Sequence, residues 1–269
     1  MIETSYFTNH IKKGLESAID DRDPTNISMS SIGHCARQLA YRMHGIDGTP
    51  LNWRARMIFD DGHMAHDQLR FMLNEALVNS KSCYKLVKEE ADVDFSGVGG
   101  HIDGILEHSD ECKDASHSSM LLEVKSMNDR AFAELKKNGE LPWEYRCQVS
   151  GYLAATGMTK AIILAKNKNT GDLAEYIYEV ERDLLETRMV VIDNLLDSGD
   201  PEQVARDYAP NNRGNLPWQC NYCPFVSLCW RDFELVEKKG RKFGINYKMF
   251  QAWNATLEVH DDKEVKTAT

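Results

Sequence analysis

The run Leu121–Met127 reads LLEVKSM: apolar at Leu121, Leu122, Val124 and Met127, yet carrying Glu123 and Lys125. Side chains on a strand alternate between its two faces, so Glu123 and Lys125 share one face and Val124 takes the other. A segment this apolar wants to be inside, and both of its faces then need cover. With the helical patterns on either side of it, this makes the chain an α/β domain with a mixed central sheet flanked by helices.

The neighbouring segments follow. MIETSYFTNHIKKGLESAIDD reads as an amphipathic helix, giving an N-terminal region over 1–28. Ser30 and Ser31 are placed to cap a short helix that carries Cys35 and ends near Gly45. Leu51–Val78 has helical apolar spacing through Met57, Met64, Leu69 and Met72, with an interruption expected around Asp60–Gly62. YKLVKEEADVDF and GGHIDGILEH read as two strands joined by a tight turn over Gly97–Gly100, and HSDECKDASHSS as a polar loop. NDRAFAELKKNG is a helix with Asn128 as its cap and Gly139 as its stop, and a second helix runs from about Pro142 to Thr156. KAIILAKNKNTGDLAEYIYEV is a hairpin turning near Thr170–Gly171, ERDLLETRMVVIDNLLDSG is an amphipathic helix, and the polar tail is expected to fray.

Composition excludes two classes. No run approaches the ~18 apolar residues that a membrane span needs, and the N-terminus lacks the basic, apolar and small-residue order of a signal peptide, so a cytoplasmic protein is expected. The net charge of −10 argues against a coat protein for nucleic acid. Charge is uneven, however: Arg37, Arg42, Arg54 and Arg56 face a single acid, Asp47, between Cys35 and Met57. A local basic groove is compatible with an acidic total.

A Glu-x-Lys pair alone is usually an exposed ion pair worth under about 1 kcal/mol. Its company matters more. Asp103 lies on the preceding strand, twenty residues before Glu123, and if the strands pair, the two carboxylates reach the same end of the sheet. They then repel and need a cation between them, and oxygen ligands suit Mg²⁺ or Mn²⁺. The competing reading of Asp103 is an aspartate flanking a turn at a strand end. Gln148 and Tyr152 sit four apart on one helical face, which also fits polar residues of an amphipathic helix.

Seven cysteines, Cys35, Cys83, Cys112, Cys147, Cys220, Cys223 and Cys229, are an odd number at uneven spacing. In a reducing compartment that argues against a disulfide framework and for a metal at the CNYCPFVSLC cluster. Zinc and an iron–sulfur cluster both accept four thiolates, so spacing leaves the two open.

Asp103 followed by Glu123-x-Lys125 on a strand resembles the signature of the PD-(D/E)XK nucleases. Three further features resemble the RecB-like iron–sulfur exonuclease branch, which includes the AddB-type and CRISPR-associated RecB-like nucleases. Gly62 and His66 in DDGHMAH match its upstream G-x-x-x-H histidine motif, and Gln148 and Tyr152 in CQVSGY match its Q-x-x-x-Y motif. Cys35, with the C-terminal triplet Cys220, Cys223 and Cys229, matches its cluster ligands. The likeness covers residues 30 to 232, and Ile102 stands where a proline often precedes the aspartate.

The resemblance implies a restriction-endonuclease-like core with a helical N-terminal part and a C-terminal cysteine-rich metal-cluster region. The nuclease domain would run over 29–235, with cluster-binding segments at 30–45 and 216–232 and a C-terminal extension over 236–269. It implies hydrolysis of phosphodiester bonds in DNA that is single-stranded or has free ends. His66, Asp103, Glu123 and the backbone carbonyl of Val124 would hold Mg²⁺ or Mn²⁺. Lys125 would orient the attacking water, and Gln148 and Tyr152 would position the DNA backbone. Cys35, Cys220, Cys223 and Cys229 would hold a [4Fe–4S] cluster, with zinc as the alternative, in a structural role that closes a long loop. Arg37, Arg42 and Arg146 are candidates for phosphate contacts. His34, His44, His63 and His101 are left to local hydrogen bonds or solvent. Partners would be a helicase, a recombination protein or a CRISPR-adaptation protein. The alternative is a non-catalytic or weakly catalytic DNA-binding subunit of such an assembly, carrying zinc.

Overall fold

The computed structural model describes residues 6–17, 25–50, 52–109, 118–197, 199–238 and 242–255. It divides into two compact units: residues up to His34 with Leu51–Asn194, and Cys35–Pro50 with the residues from Leu195 onward. The expected single domain over 29–235 is therefore partitioned differently, with the Cys35 segment grouped with the C-terminal part. In chain order the helical part opens with α1 (Tyr6–Ser17), a 3₁₀ turn at Met29–Ser31, α2 (Ala36–Met43, in the second unit) and α3 (Trp53–Asn79).

Asn52 caps α3 by accepting from the Ala55 N–H at 3.0 Å. The helix is unbroken, so the interruption expected at Asp60–Gly62 is not there. A Cβ at Gly62 would meet nothing, and one glycine costs a helix about 1 kcal/mol, too little to stop one of this length. The strands that follow are β1 (Tyr84–Val87), β2 (Ala91–Phe95), β3 (Val98–Ile102) and β4 (Gly104–His108). Two strands were expected over this stretch. The extra breaks fall where Lys88 and Glu90 take left-handed backbone and at Asp103. β2 and β3 form a separate two-stranded sheet, with a bridge from Gly99 to Ser28, around a two-residue turn in which Ser96 and Gly97 both have positive φ, as the tightest hairpins require.

β5 (Met120–Met127) is the centre of the sheet β1-β4-β5-β6-β7. After it come α4 (Asp129–Asn138), α5 (Trp143–Thr156), β6 (Lys160–Asn167), β7 (Leu173–Glu179) and α6 (Arg182–Asp197). β5 runs antiparallel to β4 and parallel to β6, and the other two ladders are antiparallel, so the sheet is mixed. One face buries Leu86, Leu106, Leu122 and Val124 against Leu69, Leu73 and Leu77, which recur every four residues on α3. On the other face α5 packs on β5 and β6. With both faces covered, nearly all of β5 is buried, its charged pair included. α4 has its expected ends, Asn128 accepting from the Ala131 N–H and Gly139 in left-handed backbone.

The second unit contains α2, α7 (Trp218–Asn221), α8 (Val226–Cys229), a 3₁₀ turn at Arg231–Phe233 and the short hairpin β8 (Val236–Lys238) and β9 (Lys242–Gly244). Its core is Leu216, Val226, Trp230, Phe233 and Ile245. Ser30 and Ser31 do not cap α2. They belong to the preceding 3₁₀ turn, and Asp207 instead accepts from the Ala36 N–H at 2.9 Å. Tyr41 packs its ring 5.3 Å from that of Phe225, and the Thr49 N–H donates to the Pro224 carbonyl, which is how the 35–50 segment joins the C-terminal part. The tail expected to fray, 256–269, lies outside the described residues.

Candidate active site

Register brings the acids together. Gly104 pairs with Leu122, so the kink residue Asp103 stands at the level of Glu123 on the next strand. The Asp103 carboxylate accepts the Val124 N–H at Oδ2, 2.7 Å away, and its Oδ1 lies 3.1 Å from His66 Nδ1 on α3. Glu123 and Lys125 form an ion pair at 2.5 Å, buried to 2% and 8% residual exposure. On the α5 side, Lys125 Nζ donates to Gln148 Oε1 at 2.9 Å and lies 4.3 Å from the centre of the Tyr145 ring. Gln148 Nε2 in turn donates to the Tyr152 hydroxyl at 3.3 Å. Gly100 of β3 permits this arrangement, since a Cβ there would come within 2.7 Å of the Tyr152 ring.

His66, Asp103, Glu123, Lys125, Gln148 and Tyr152 thus form one connected cluster at one end of the sheet. Gln148 and Tyr152 are buried, linked to the Lys125 ammonium by the chain of hydrogen bonds just described. Val124 contributes its N–H to Asp103, and its side chain is in the α3-facing core. His63 is exposed, His101 pairs with Asp92 at the surface, and His44 bonds the Ala40 carbonyl, the local roles expected of them.

Burial pushes the Asp103 carboxyl up. The hydrogen bond and charge of His66, the Val124 N–H and the Lys125 ammonium outweigh it and leave the group below its ordinary range. Glu123 goes the other way: complete burial, with the Asp103 charge added, lifts it despite the Lys125 ammonium. Burial would lower Lys125, but Glu123, Tyr145 and Asp103 together hold it above its ordinary value. Two neighbouring carboxyls thus sit in environments that push them in opposite directions, and a cation placed between them would favour the ionised form of both.

Sequence reasoning missed Arg70. It is buried on α3 one turn after His66, with contacts to Asp67, Glu90 and Asp103. The i, i+4 spacing from His66 was the available signal. Tyr145 was missed too, three residues before Gln148 on α5.

Among the described residues, no three His, Cys, Asp or Glu side chains stand ready-arranged around a metal position. The donor chemistry at the sheet end, carboxylate oxygens with an imidazole, nevertheless fits a hard divalent cation. In the second unit Cys35, Cys220, Cys223 and Cys229 are free thiols. Burial pushes Cys220 and Cys223 up to about 12, and the charges of Cys35 and Cys229 act on both. Thiols are the soft donors that zinc and iron–sulfur clusters take. Cys147 is buried and free, while Cys83 is disulfide-bonded, against the expectation of no disulfides; Cys112 lies outside the described residues.

The phosphate-contact candidates fare unevenly. Arg37 is buried, with its Nε donating to the Val204 carbonyl at 2.6 Å, and Arg146 is bound by both oxygens of Glu181. Neither is a free surface cation. Arg42 is half-buried beside Cys223.

No described helix is long and apolar enough to cross a membrane. Among solved structures, the chain is similar to an alkaline exonuclease from Laribacter hongkongensis, at 14% identity and a TM-score of 0.45 over 70% of this chain and 91% of that one. It is also similar to a phage-related exonuclease from Haemophilus somnus, at 11% identity and a TM-score of 0.40 over 64% and 92%. No curated protein matches it. Residues 84–159 match the YqaJ-like viral recombinase domain, a family of the PD-(D/E)XK superfamily. That segment holds Asp103, Glu123, Lys125, Gln148 and Tyr152, and stops short of His66 and the cysteines.

Proposed function

We propose that the chain is a divalent-metal-dependent deoxyribonuclease that hydrolyses phosphodiester bonds at single-stranded or free DNA ends. The observation that carries this reading is the register of β4 on β5, which sets Asp103 at the level of Glu123, itself paired with Lys125. The match of residues 84–159 to a viral recombinase domain supports it.

His66, Asp103, Glu123 and the Val124 carbonyl would hold Mg²⁺ or Mn²⁺. Bound there, such an ion supplies Lewis-acid polarisation of the phosphate and a more acidic water. The chain's own groups do the rest. Lys125, fixed by Gln148 and by the face of Tyr145, keeps a full positive charge beside the reacting phosphate and orients the attacking water. Its position is set by buried hydrogen bonds, so little reorganisation is needed at the moment of reaction. Gln148 and Tyr152 act through Lys125.

In the second unit, Cys35, Cys220, Cys223 and Cys229 would hold a [4Fe–4S] cluster whose work is structural, joining the 35–50 segment to the C-terminal part. On this reading the chain would belong to the RecB-like iron–sulfur branch, acting on DNA with a recombination, helicase or CRISPR-adaptation protein as partner.

The test is cleavage of end-labelled single-stranded DNA by the purified chain with Mn²⁺. Cleavage by the wild type and its loss, by a factor of about 10³ or more, in the near-isosteric Asp103→Asn is expected. Full activity in Asp103→Asn would remove the site from the chemistry.

A further inference from the structure

Arg70 has no part in the chemistry above, yet it is paired with three carboxylates. Its side chain is 8% exposed. Nη2 lies 2.5 Å from Asp67 Oδ1 and 2.6 Å from Glu90 Oε1, and Nη1 lies 3.6 Å from Asp103 Oδ1. A buried guanidinium is costly unless paired, but one carboxylate would suffice, and here there are three.

The three are not equivalent. Asp67 and Glu90 are each 66% exposed and would be hydrated without help; Asp103 is the buried one. Glu90 also has positive φ, in the link between β1 and β2, a backbone state that a non-glycine residue holds at some cost. That link opens the β2–β3 hairpin, and the hairpin ends at Asp103. The guanidinium therefore grips both ends of the segment that delivers the carboxylate, from a helix whose position is fixed by Leu69 and Leu73 in the core.

From this geometry, and resting on the metal reading above, we infer that Arg70 is the positioning residue for the Asp103 carboxylate. Val124 N–H holds Oδ2 by a hydrogen bond and His66 lies 3.1 Å from Oδ1, while the Arg70 guanidinium stands in ion-pair range of the same oxygen. A guanidinium carries its charge at any working pH and offers a planar fork of donors, so it suits a fixed brace between Asp67, Glu90 and Asp103. His66 is then left to serve the metal without also being the sole anchor of its neighbour.

The experiment is Mn²⁺ binding, read by electron paramagnetic resonance on wild type, Arg70→Gln and Arg70→Lys, with a thermal melt of each. Partners that orient a metal ligand change metal affinity by about 10–100-fold when removed, so Arg70→Gln should bind Mn²⁺ at least tenfold more weakly. Arg70→Lys, which keeps the charge but loses the fork, should fall between it and wild type. Should Arg70→Gln fail to fold, the lysine variant decides by the same affinity readout. A lower melting temperature with unchanged Mn²⁺ affinity would mean a purely structural ion pair and overturn the inference. Absence of Mn²⁺ binding by the wild type would instead overturn the metal reading itself, and this inference with it.

Discussion

In the first unit each carboxylate at the sheet end has a partner: Asp103 the His66 imidazole and the Arg70 guanidinium, Glu123 the Lys125 ammonium. In the second, Cys35, Cys220, Cys223 and Cys229 are half-buried thiols, and Cys220 is pushed up by burial first and then by the charges of the other cysteines. One site is compensated from within the chain. The other is a cluster of neutral groups that gains charge only if something draws off the protons. The scaffolds differ accordingly. The acids sit on a five-stranded sheet whose register fixes them to the residue, whereas Cys220 and Cys229 sit on four-residue helices packed around Trp230 and Phe233.

The comparison breaks most sharply at Lys125. Removing it leaves Glu123 buried and unpaired, and breaking a buried pair in this way costs about 3–5 kcal/mol. Lys125→Ala should therefore lose stability of that order in urea unfolding. Adding Glu123→Gln to Lys125→Met should recover most of it, because two neutral groups of similar volume leave no orphan charge. A Lys125→Ala protein as stable as wild type would mean that the first site is not internally compensated, and the contrast with the cysteines would collapse.

Next in size is Cys223→Ser. In metal-loaded protein this should release the bound metal, measured by elemental analysis, and cost about 2 kcal/mol. For a chain of this length each kcal/mol moves a melting midpoint by ~2–4 °C. The acid site, held by its own ion pairs, should keep its Mn²⁺ affinity. Unchanged metal content would show that the four cysteines do not act together.

What could be read from the sequence divides along the same line. Glu123 and Lys125 announced themselves because polar residues in an apolar strand break a period of two, and α4 because Asn128 and Gly139 are residues that caps require. The splitting of 84–108 into four strands was hidden, since the breaks at Lys88 and Glu90 use left-handed backbone at residues that do not advertise it. Arg70 was hidden for a different reason. A buried arginine on an amphipathic helix looks like a solvated one until its three carboxylates, from separate segments, are seen around it. The grouping of 35–50 with the C-terminal part rests on contacts such as Tyr41 with Phe225, which no local pattern encodes.

The smallest expected effect sharpens what internal compensation means away from the site. Arg146, expected to meet phosphate, is held by Glu181, which also accepts the Tyr178 hydroxyl at 2.5 Å. The Arg146 hydrogen bond, more than its charge, holds Glu181 below the ordinary carboxylate range, so its contribution is present above pH 4.5 and is lost as pH falls through the lowered value. Tyr178 is pushed up to about 12, by burial first and then by Glu181, so its contribution is intact below pH 10 and fades as pH rises toward 12. Both Arg146 and Glu181 are about one-third exposed, and solvent screening keeps the pair's worth under about 1 kcal/mol. Glu181→Gln should thus leave the neutral-pH urea midpoint almost unchanged while flattening its decline below pH 4.5. Tyr178→Phe should do the same on the alkaline side. An acid limb as steep in Glu181→Gln as in wild type would assign that decline to other carboxylates, with Asp103, whose range is also lowered, the first to examine.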